Sequence, residues 1–487
     1  MVSALAVTVG MNRDVEPLLP SPIQGLSVEL LRDILEYLPD VSSLYHAILS
    51  CSLFYRILLG AERAISTRVL LNQVDFDVLP EAMMASEFGL LFPRDKDLQS
   101  REVVFDFVAQ HLEHRQIPPG ILSLRRALHI SRLHFYVDAL AKRFAVAALV
   151  KSPLNRSNHP PTREETWRIE RGLYRFETYC NLFRERGRLL LFESYIRREC
   201  KEKLPPPKVT VNNDRKVLFF DKFSPWEHEQ LGCIHDFLVR SIVPSFTEVA
   251  EHDVRWGAAN VDYVDIIDNR YLHDVISRGL ATIYDVSTAE IYEEQYRALN
   301  AAKTPWPGDF LYDGLEEDTK GQYRGVFVAD ITPENEDIYI KRPFFNDPDP
   351  GPKNAWRWAH IEENQLMWVY REDREELREW GYVMWDQSRL DASSIFQGPW
   401  EDILSERDLV LEDQEAGRER GYMQNSWEQR EAASRAGASG WWSWGDRSKL
   451  IYKNRDRYGD IRDEWASLRQ PGPNNRYPVP KPKLLQE

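Results

Sequence analysis

Cysteine is scarce in this chain, which has four among its 487 residues. They lie far apart, without Cys-x-x-Cys spacing. In a chain of this length, scattered single cysteines are typical of reduced thiols in the cytosol or nucleus, not of a disulfide framework. The sequence therefore predicts a cytoplasmic or nuclear protein. The four are Cys51, Cys180, Cys200 and Cys233.

Long apolar runs and a basic leader are also missing. No apolar run reaches the ~18 residues of a membrane-spanning helix, so we predict no membrane partner. The first ten residues are apolar but carry no positive charge. We therefore predict a disordered leader over residues 1–22 rather than a signal peptide.

Motifs for catalysis and cofactor binding are missing as well. The chain has no Gly-rich phosphate loop and no Gly-x-Ser-x-Gly nucleophile turn. His228-Glu229 does not complete a zinc motif, because Gly232 stands at the second ligand position. The sequence predicts a chain that is not an enzyme, with no catalytic residues, cofactor or metal.

Two groups of polar residues leave a metal site open as a weaker alternative. His111 and His114 are three apart, but no third ligand stands at a recognisable spacing. Asp262, Asp265 and Asp268 recur every three residues, without the Gly and the bidentate Glu of a calcium loop. We interpret the histidines as exposed and the aspartates as a solvated acidic face.

A cysteine beside a histidine and an aspartate suggests a thiol nucleophile. Cys233 is followed closely by His235 and Asp236. Catalytic triads assemble in space, so neighbours on one helix are poor support for this chemistry. We predict instead that Cys233 lies in the core.

Charge is distributed unevenly along the chain, whose formal net charge is −15. Residues 301–430 carry 15 basic and 29 acidic side chains, a net charge of −14. Residues 431–487 carry 11 basic and 7 acidic side chains, a net charge of +4. The acidic segment repels phosphate backbones, so we predict no nucleic-acid partner.

The most informative stretch begins at Leu26 and carries more apolar residues than a small helical module can bury. Ser27 is a predicted helix N-cap, Pro39 ends that helix, and Asp40 caps the next. Leu31, Ile34, Leu35 and Leu38 form one stripe at helical spacing, whereas Leu30 and Tyr37 lie on a different face. One face would pack inside the module and the other would need a partner.

This stretch resembles an F-box, the module that docks onto the Skp-family adaptor of a cullin-RING ubiquitin ligase. Residues 26–38 read Leu-Ser-Val-Glu-Leu-Leu-Arg-Asp-Ile-Leu-Glu-Tyr-Leu, and the later family positions fall on Leu44, Ser50-Cys51 and Phe54. Ser27 stands where the family usually has a proline that packs on the adaptor. The resemblance implies adaptor contacts by Leu26, Leu30, Leu31, Ile34, Leu38, Leu44 and Phe54.

The resemblance implies a substrate-recruiting subunit of an SCF-type ubiquitin ligase, which binds the adaptor through this module and an unknown client through its body. Such a subunit performs no bond chemistry and acts by proximity. Two alternatives stay open. One is a non-catalytic scaffold protein whose F-box-like hairpin packs internally, and the other is an enzyme with an unrecognised site in residues 160–430.

The chain is 43% hydrophobic, which is enough for a large core and two or three domains. We predict a mainly α fold, in which a three-helix module precedes a large helical body with a few short β-hairpins. The predicted segments are a leader (1–22), the module (23–60), a helical block (61–150), a helical domain (162–300) with a hairpin near 209–220, an acidic, Trp-rich, partly irregular region (301–445) and a basic, partly disordered tail (446–487).

Within the body, two capping boxes predict helix starts, at Thr162 with Glu165 and at Ser224 with Glu227. The second also resembles a segment of large fungal proteins with F-box-like N termini. We expect two short strands within 323–340 and a helical pattern over 361–385.

The tryptophan cluster Trp441-Trp442-Ser443-Trp444 has two interpretations. It is either an anchor for a partner or a group that packs back onto the chain, and we favour the second. The expected packing site is the region around Trp356, Trp358, Trp380 and Trp385.

Overall fold

The computed structural model describes residues 22–91, 108–113, 122–154, 159–200, 219–266, 269–299, 310–315, 325–364, 369, 374–404, 409–444 and 446–452. Its architecture is mainly α, which confirms the predicted fold class. The described strands form a single two-stranded sheet. Among the described helices, none is both long and apolar enough to cross a membrane.

The helices and strands are numbered in chain order. The helices are α1 (Val28–Glu36), α2 (Val41–Ser50), α3 (Ser52–Gln73), α4 (Leu79–Leu91), α5 (Leu124–Lys151), α6 (Arg163–Cys200), α7 (Pro225–His252), α8 (Val254–Ala258), α9 (Arg270–Ile276), α10 (Leu280–Thr288), α11 (Tyr292–Leu299), α12 (Phe310–Asp313), α13 (Glu336–Tyr339), α14 (Gly351–Ala359), α15 (Glu375–Glu379), α16 (Gln387–Ala392) and α17 (Leu409–Arg435). The strands are β1 (Ala438–Gly440) and β2 (Leu450–Tyr452).

The chain divides into two compact units. Unit 1 comprises residues 1–76 and 118–131, and unit 2 comprises residues 77–117 and 132–487. Helix α5 begins in unit 1 and continues into unit 2.

The start of α1 and the start of α2 follow the predicted caps. Ser27 is the N-cap of α1, and its hydroxyl accepts from the Leu30 amide at 3.4 Å. The Asp40 carboxylate accepts from the Ser43 amide at 2.7 Å and caps α2. At the other end of α1, Asn72 Nδ2 donates to the carbonyls of Glu36 and Leu38 at 2.8 and 2.9 Å. These bonds satisfy backbone groups that a helix end leaves open, and the Asn72 bonds also connect the end of α1 to α3.

The core of unit 1 comes from the inner faces of α1, α2 and α3. The helix predicted over 61–71 is the second part of α3, after a non-helical residue at Ala61. The chain returns to this unit where Glu62 accepts from the Leu124 amide at 2.9 Å and Thr67 accepts from the Leu122 amide at 3.2 Å. The buried core residues are Leu31, Leu35, Val41, Leu44, Ile48, Phe54, Ile57, Leu58, Ile65, Val69 and Leu70.

Both predicted capping boxes of unit 2 are formed. Glu165 Oε2 accepts from the Thr162 amide at 2.8 Å, and the Thr162 hydroxyl accepts from the Glu165 amide at 3.1 Å. Glu227 accepts from the Ser224 amide at 2.9 Å. Both capping carboxylates are buried. Glu165 also binds Arg389 and Glu227 also binds Arg175, so each cap is connected to another segment of unit 2.

Buried ion pairs join α6 to distant parts of unit 2. Arg168, with its side chain 1% exposed, donates to Asp347 and to Asp386, each at 2.6 Å. Arg389 donates to Glu165 Oε2 at 2.7 Å. Burial alone would lower the pKa of Arg168, but the bonds with its two aspartates raise it overall. The charged form is therefore favoured inside the protein.

The same pattern ties α6 to α7. Arg175 donates to Glu227 at 2.7 Å, and Glu227 also accepts from the Phe344 amide at 2.8 Å. Glu81 lies 3.7 Å from Arg175, and its own burial raises its pKa. Glu227, which the sequence predicts as a helix cap, thus connects three segments of unit 2: the start of α7, α6 and the segment at Phe344.

The structure corrects two predictions for the middle of the chain. The strands expected within 323–340 are wrong, because the described part holds a 3-10 turn at Val328–Asp330 and helix α13. In the described part of 361–385 the expected helical pattern is limited to α15, followed by turns through Trp385, and residues 365–368 and 370–373 lie outside the described residues. Most of the predicted leader, the 209–220 hairpin and the basic tail lies outside the described residues. At the described end of that hairpin, Phe220 begins a 3-10 turn.

Candidate protein-binding surface

Helix α1 turns an apolar face outward as well as inward. Leu30, Ile34 and Tyr37 recur at helical spacing and are 52%, 42% and 81% exposed. On the opposite side, Leu31 and Leu35 are buried. A helix with apolar residues on two faces satisfies only one of them within its own unit.

Helices α2 and α3 repeat this arrangement with one pair each. Tyr45 and Leu49 lie four apart on α2, and Tyr55 and Leu59 lie four apart on α3. All four are exposed, although their neighbours on the inner faces are buried. We call the outer apolar face the set Leu26, Leu30, Ile34, Tyr37, Tyr45, Leu49, Tyr55 and Leu59.

The concentration of exposed apolar side chains separates this region from the rest of the described chain. Ten of the 21 large apolar side chains that are exposed lie between residues 26 and 76. Single exposed apolar residues are normal, whereas groups of them mark interaction surfaces. The outer apolar face is therefore the strongest candidate for a binding surface in the described residues.

The structure places the seven predicted contact residues in different environments. Leu31, Leu44 and Phe54 are core residues of unit 1, and Leu38 is half-buried. Leu26, Leu30 and Ile34 are exposed and belong to the outer apolar face.

One member of the predicted inner stripe lies on the other side. Ile34 is about 40° around the helix axis from Leu30 but about 100° from Leu35. Its exposure therefore follows that of Leu30. Helical spacing predicted Leu30 and Tyr37 on the outer face, but the exposed pairs on α2 and α3 were not predicted. Apolar residues four apart and off the buried stripe are the signal that finds them.

The polar residues of α1 favour the helix and leave the outer apolar face uncharged. The backbone amides at the start of α1 and the Ser27 side chain lower the pKa of Glu29, as expected for an anion at a helix N-terminus. Arg32 pairs with Glu36 one turn later at 2.6 Å. Arg32 lies about 160° around the helix axis from both Leu30 and Ile34, so this ion pair supports the helix without interrupting the outer apolar face.

The candidate metal groups are not supported by the described residues. His111 is buried and pairs with Glu87 at 3.5 Å, whereas His114 lies outside the described residues. Asp262 accepts from the Val264 and Asp265 amides at 2.8 and 3.0 Å. The prediction that His111 is exposed is therefore wrong. Within the described chain, no three His, Cys, Asp or Glu side chains are placed to hold a metal ion.

The environment of Cys233 is the reverse of what a thiol nucleophile needs. Its side chain is fully buried, and burial with the nearby Glu229 carboxylate raises its pKa well above the ordinary value. A reactive cysteine has a lowered pKa and access to solvent. The placement of Cys233 in the core is confirmed.

We expect Cys51 to react with a thiol reagent in the native protein while Cys233 does not. Cys51 is partly exposed, whereas the Cys233 thiol is buried and protonated at neutral pH. Alkylation followed by mass spectrometry of each peptide, with and without denaturant, measures this. Rapid labelling of Cys233 without denaturant would contradict the assignment and support the enzyme alternative.

The tryptophan cluster packs back onto the chain, but at a different place from the predicted region around Trp356 and Trp385. Trp441 stacks on His252 with ring centroids 4.8 Å apart. The Lys449 Nζ lies over the Trp441 ring, 5.0 Å from its centroid. Trp442 is buried with Val254 and Ala433. The cluster therefore packs against the C-terminal ends of α7 and α17 and the start of α8. The expected site around the other tryptophans is wrong, because β1 and the bridge of Trp441 to Asp253 hold the segment here.

No protein-family model, no curated protein and no solved structure matches this chain.

Proposed function

We propose that this chain is a substrate-recruiting subunit of an SCF-type ubiquitin ligase, and that its outer apolar face binds a Skp-family adaptor. The observation that carries the proposal is the set of apolar side chains that α1, α2 and α3 leave exposed around a complete core. The resemblance of residues 26–58 to an F-box supports the identity of the partner.

The energetic argument concerns the side chains that would be buried on binding. Burying one such side chain fully gives about 1.5–3 kcal/mol. A few central residues supply most of the free energy of an interface, and large apolar and aromatic side chains are suited to this role. Leu30, Ile34 and Tyr37, which share one face of α1, are the expected centre.

The mechanism would be proximity. The adaptor holds unit 1, and unit 2 holds a client so that a client lysine meets the charged conjugating enzyme. This requires no catalytic group on the chain.

The test is complex formation between the purified full chain and a purified Skp-family adaptor. We expect the two to co-elute as one complex in size-exclusion chromatography. Separate elution at micromolar concentrations of both would refute adaptor binding.

The scaffold alternative has less support. It requires the F-box-like helices to pack internally, whereas the outer apolar face is 37–81% exposed. The adaptor test distinguishes the two, because an internally packed face would leave no surface for the adaptor to bind.

A further inference from the structure

A histidine is buried between two carboxylates in unit 2. His360 follows α14 and is 1% exposed. Its Nδ1 lies 3.1 Å from Glu363 Oε2, and its Nε2 lies 3.3 Å from Glu229 Oε1. The Tyr382 hydroxyl is also 3.1 Å from Nε2. Trp356 stacks on the ring at 5.6 Å and shields it from water.

The two carboxylates differ in their other partners. Glu363 also pairs with Arg374, whose Nε donates to the Ala359 carbonyl at 3.0 Å. Glu229 is 1% exposed, and among the described residues its one ion-pair partner is His360. The His360 ring is therefore the cation that balances Glu229.

The charged groups around His360 come from α7, from the residues that follow α14 and from α15. Helix α7 contributes Glu229, then Cys233 one turn later, and then Asp236. The Asp236 carboxylate accepts from Arg378 at 2.8 Å. Asp236 also lies 3.2 Å from the Nδ1 of His235. The groups that face the cluster are Glu229, Cys233 and Asp236 from α7, His360 and Glu363 after α14, Arg374 and Arg378 at α15, and Tyr382 in the following turn.

Loss of the His360 proton would leave Glu229 as a buried anion without a cation. An unpaired buried charge is strongly unfavourable, and Glu363 keeps Arg374. Hydration of Glu229 would require the His360 and Tyr382 side chains, which are buried beside it, to move away from α7.

We propose that Glu229, His360 and Glu363 form a pH-sensitive clasp, which holds residues 360–363 and 374–385 against α7 while His360 is protonated and releases them when it is neutral. The client-binding body would thereby exist in a closed and an open form. The proposal does not depend on adaptor binding.

The direction of the effect follows from the environment of His360. Burial alone would lower its pKa, but its contacts with Glu229 and Glu363 raise it above the ordinary 6.5. A pKa that is raised on folding stabilises the folded form below the unfolded value, and this stabilisation is lost as pH rises through the folded value. The clasp is therefore closed at pH 6 and opens as the solution becomes alkaline.

Hydrogen exchange of the full chain between pH 6 and pH 9, corrected for intrinsic rates, measures the clasp. We expect protection in peptides covering 226–233 and 374–385 to fall by about tenfold or more. Protection in peptides covering α17 and β1 serves as the internal reference and should stay constant.

Two variants separate the clasp from a general alkaline effect. Glu229→Gln removes the stranded charge, so its protection should be the same at both pH values. His360→Gln cannot be protonated and should show low protection at pH 6. Wild-type protection that does not change with pH would overturn the proposal, as would a Glu229→Gln variant that loses protection like the wild type. If His360→Gln does not fold, the comparison of Glu229→Gln with the wild type still decides the question.

Discussion

Replacing Leu30 and Ile34 with aspartate is expected to weaken adaptor binding by about 100-fold or more while the chain stays folded. Both side chains are exposed on one face of α1, at 52% and 42%. In a complex, each aspartate would place a desolvated charge against an apolar surface. Titration calorimetry with the purified adaptor measures the loss, and circular dichroism measures the unfolding temperature, which should change by no more than a few degrees.

The matched control is Val146→Asp with Val150→Asp. These residues are also four apart on one helix and are 67% and 70% exposed, but they lie outside the outer apolar face. Adaptor affinity should not change in this variant. Leu31→Asp is unsuitable, because Leu31 is 1% exposed and its loss would unfold the module. Full affinity in the Leu30→Asp, Ile34→Asp variant would remove the proposed surface.

Replacing Arg168 with methionine is expected to lower the free energy of unfolding of unit 2 by about 3–5 kcal/mol. The guanidinium bridges Asp347 and Asp386, with one bond of 2.6 Å to each. Methionine fills part of the space but leaves the mostly buried Asp386 without its arginine, and leaves Asp347 with only the more distant Arg171, at 3.8 Å. Urea unfolding followed by tryptophan fluorescence measures the difference.

Two comparisons identify the cause of that loss. Adding Asp347→Asn and Asp386→Asn to the variant should recover part of the stability, since no charge is then left unpaired. Arg418→Ala removes an exposed pair with Glu415 at 3.7 Å and should cost less than about 1 kcal/mol. Equal losses in the Arg168 and Arg418 variants would show that the buried bridge contributes nothing beyond a surface pair.

The Arg168 bridge also predicts a loss of stability in acid. Burial alone would raise the pKa of Asp347, but the bonds with Arg168 lower it below the ordinary 3.8. Stability from this group is present above the unfolded pKa and is lost as pH falls through the folded value. In the Arg168→Met variant this acid-dependent contribution should be smaller, since only Arg171 remains beside Asp347. Urea unfolding at pH 5 and pH 3 tests this.

Local signals in the sequence predicted local structure well. Ser27, Asp40 and the capping boxes at Thr162 and Ser224 mark helix starts at the positions found. Capping depends on a side chain and an amide only a few residues apart, so neighbouring sequence determines it. The apolar excess of α1 likewise predicted two faces.

The rest of the structure depends on pairs that sequence spacing does not reveal. No periodicity connects Arg168 with Asp386, which lies 218 residues further along the chain. Ile34 was assigned to the buried stripe of α1 although it is exposed. The edge of that stripe depends on which part of α1 is covered by α3, and spacing within α1 does not reveal this. The Trp441 segment likewise follows its pairing with Asp253, a long-range contact.

The arrangement of ion pairs in unit 2 has a consequence for the order of events during synthesis. Helix α6 carries Arg168, whose two partners lie 179 and 218 residues later, and loops that long close slowly. While the ribosome is still making residues 200–340, the capped start of α6 has neither Asp347 nor Asp386 to neutralise Arg168. Unit 2 therefore passes through a partly folded state with apolar and charged surface exposed together, the type of intermediate that chaperones bind. Unit 1, whose contacts close by residue 131, is complete long before.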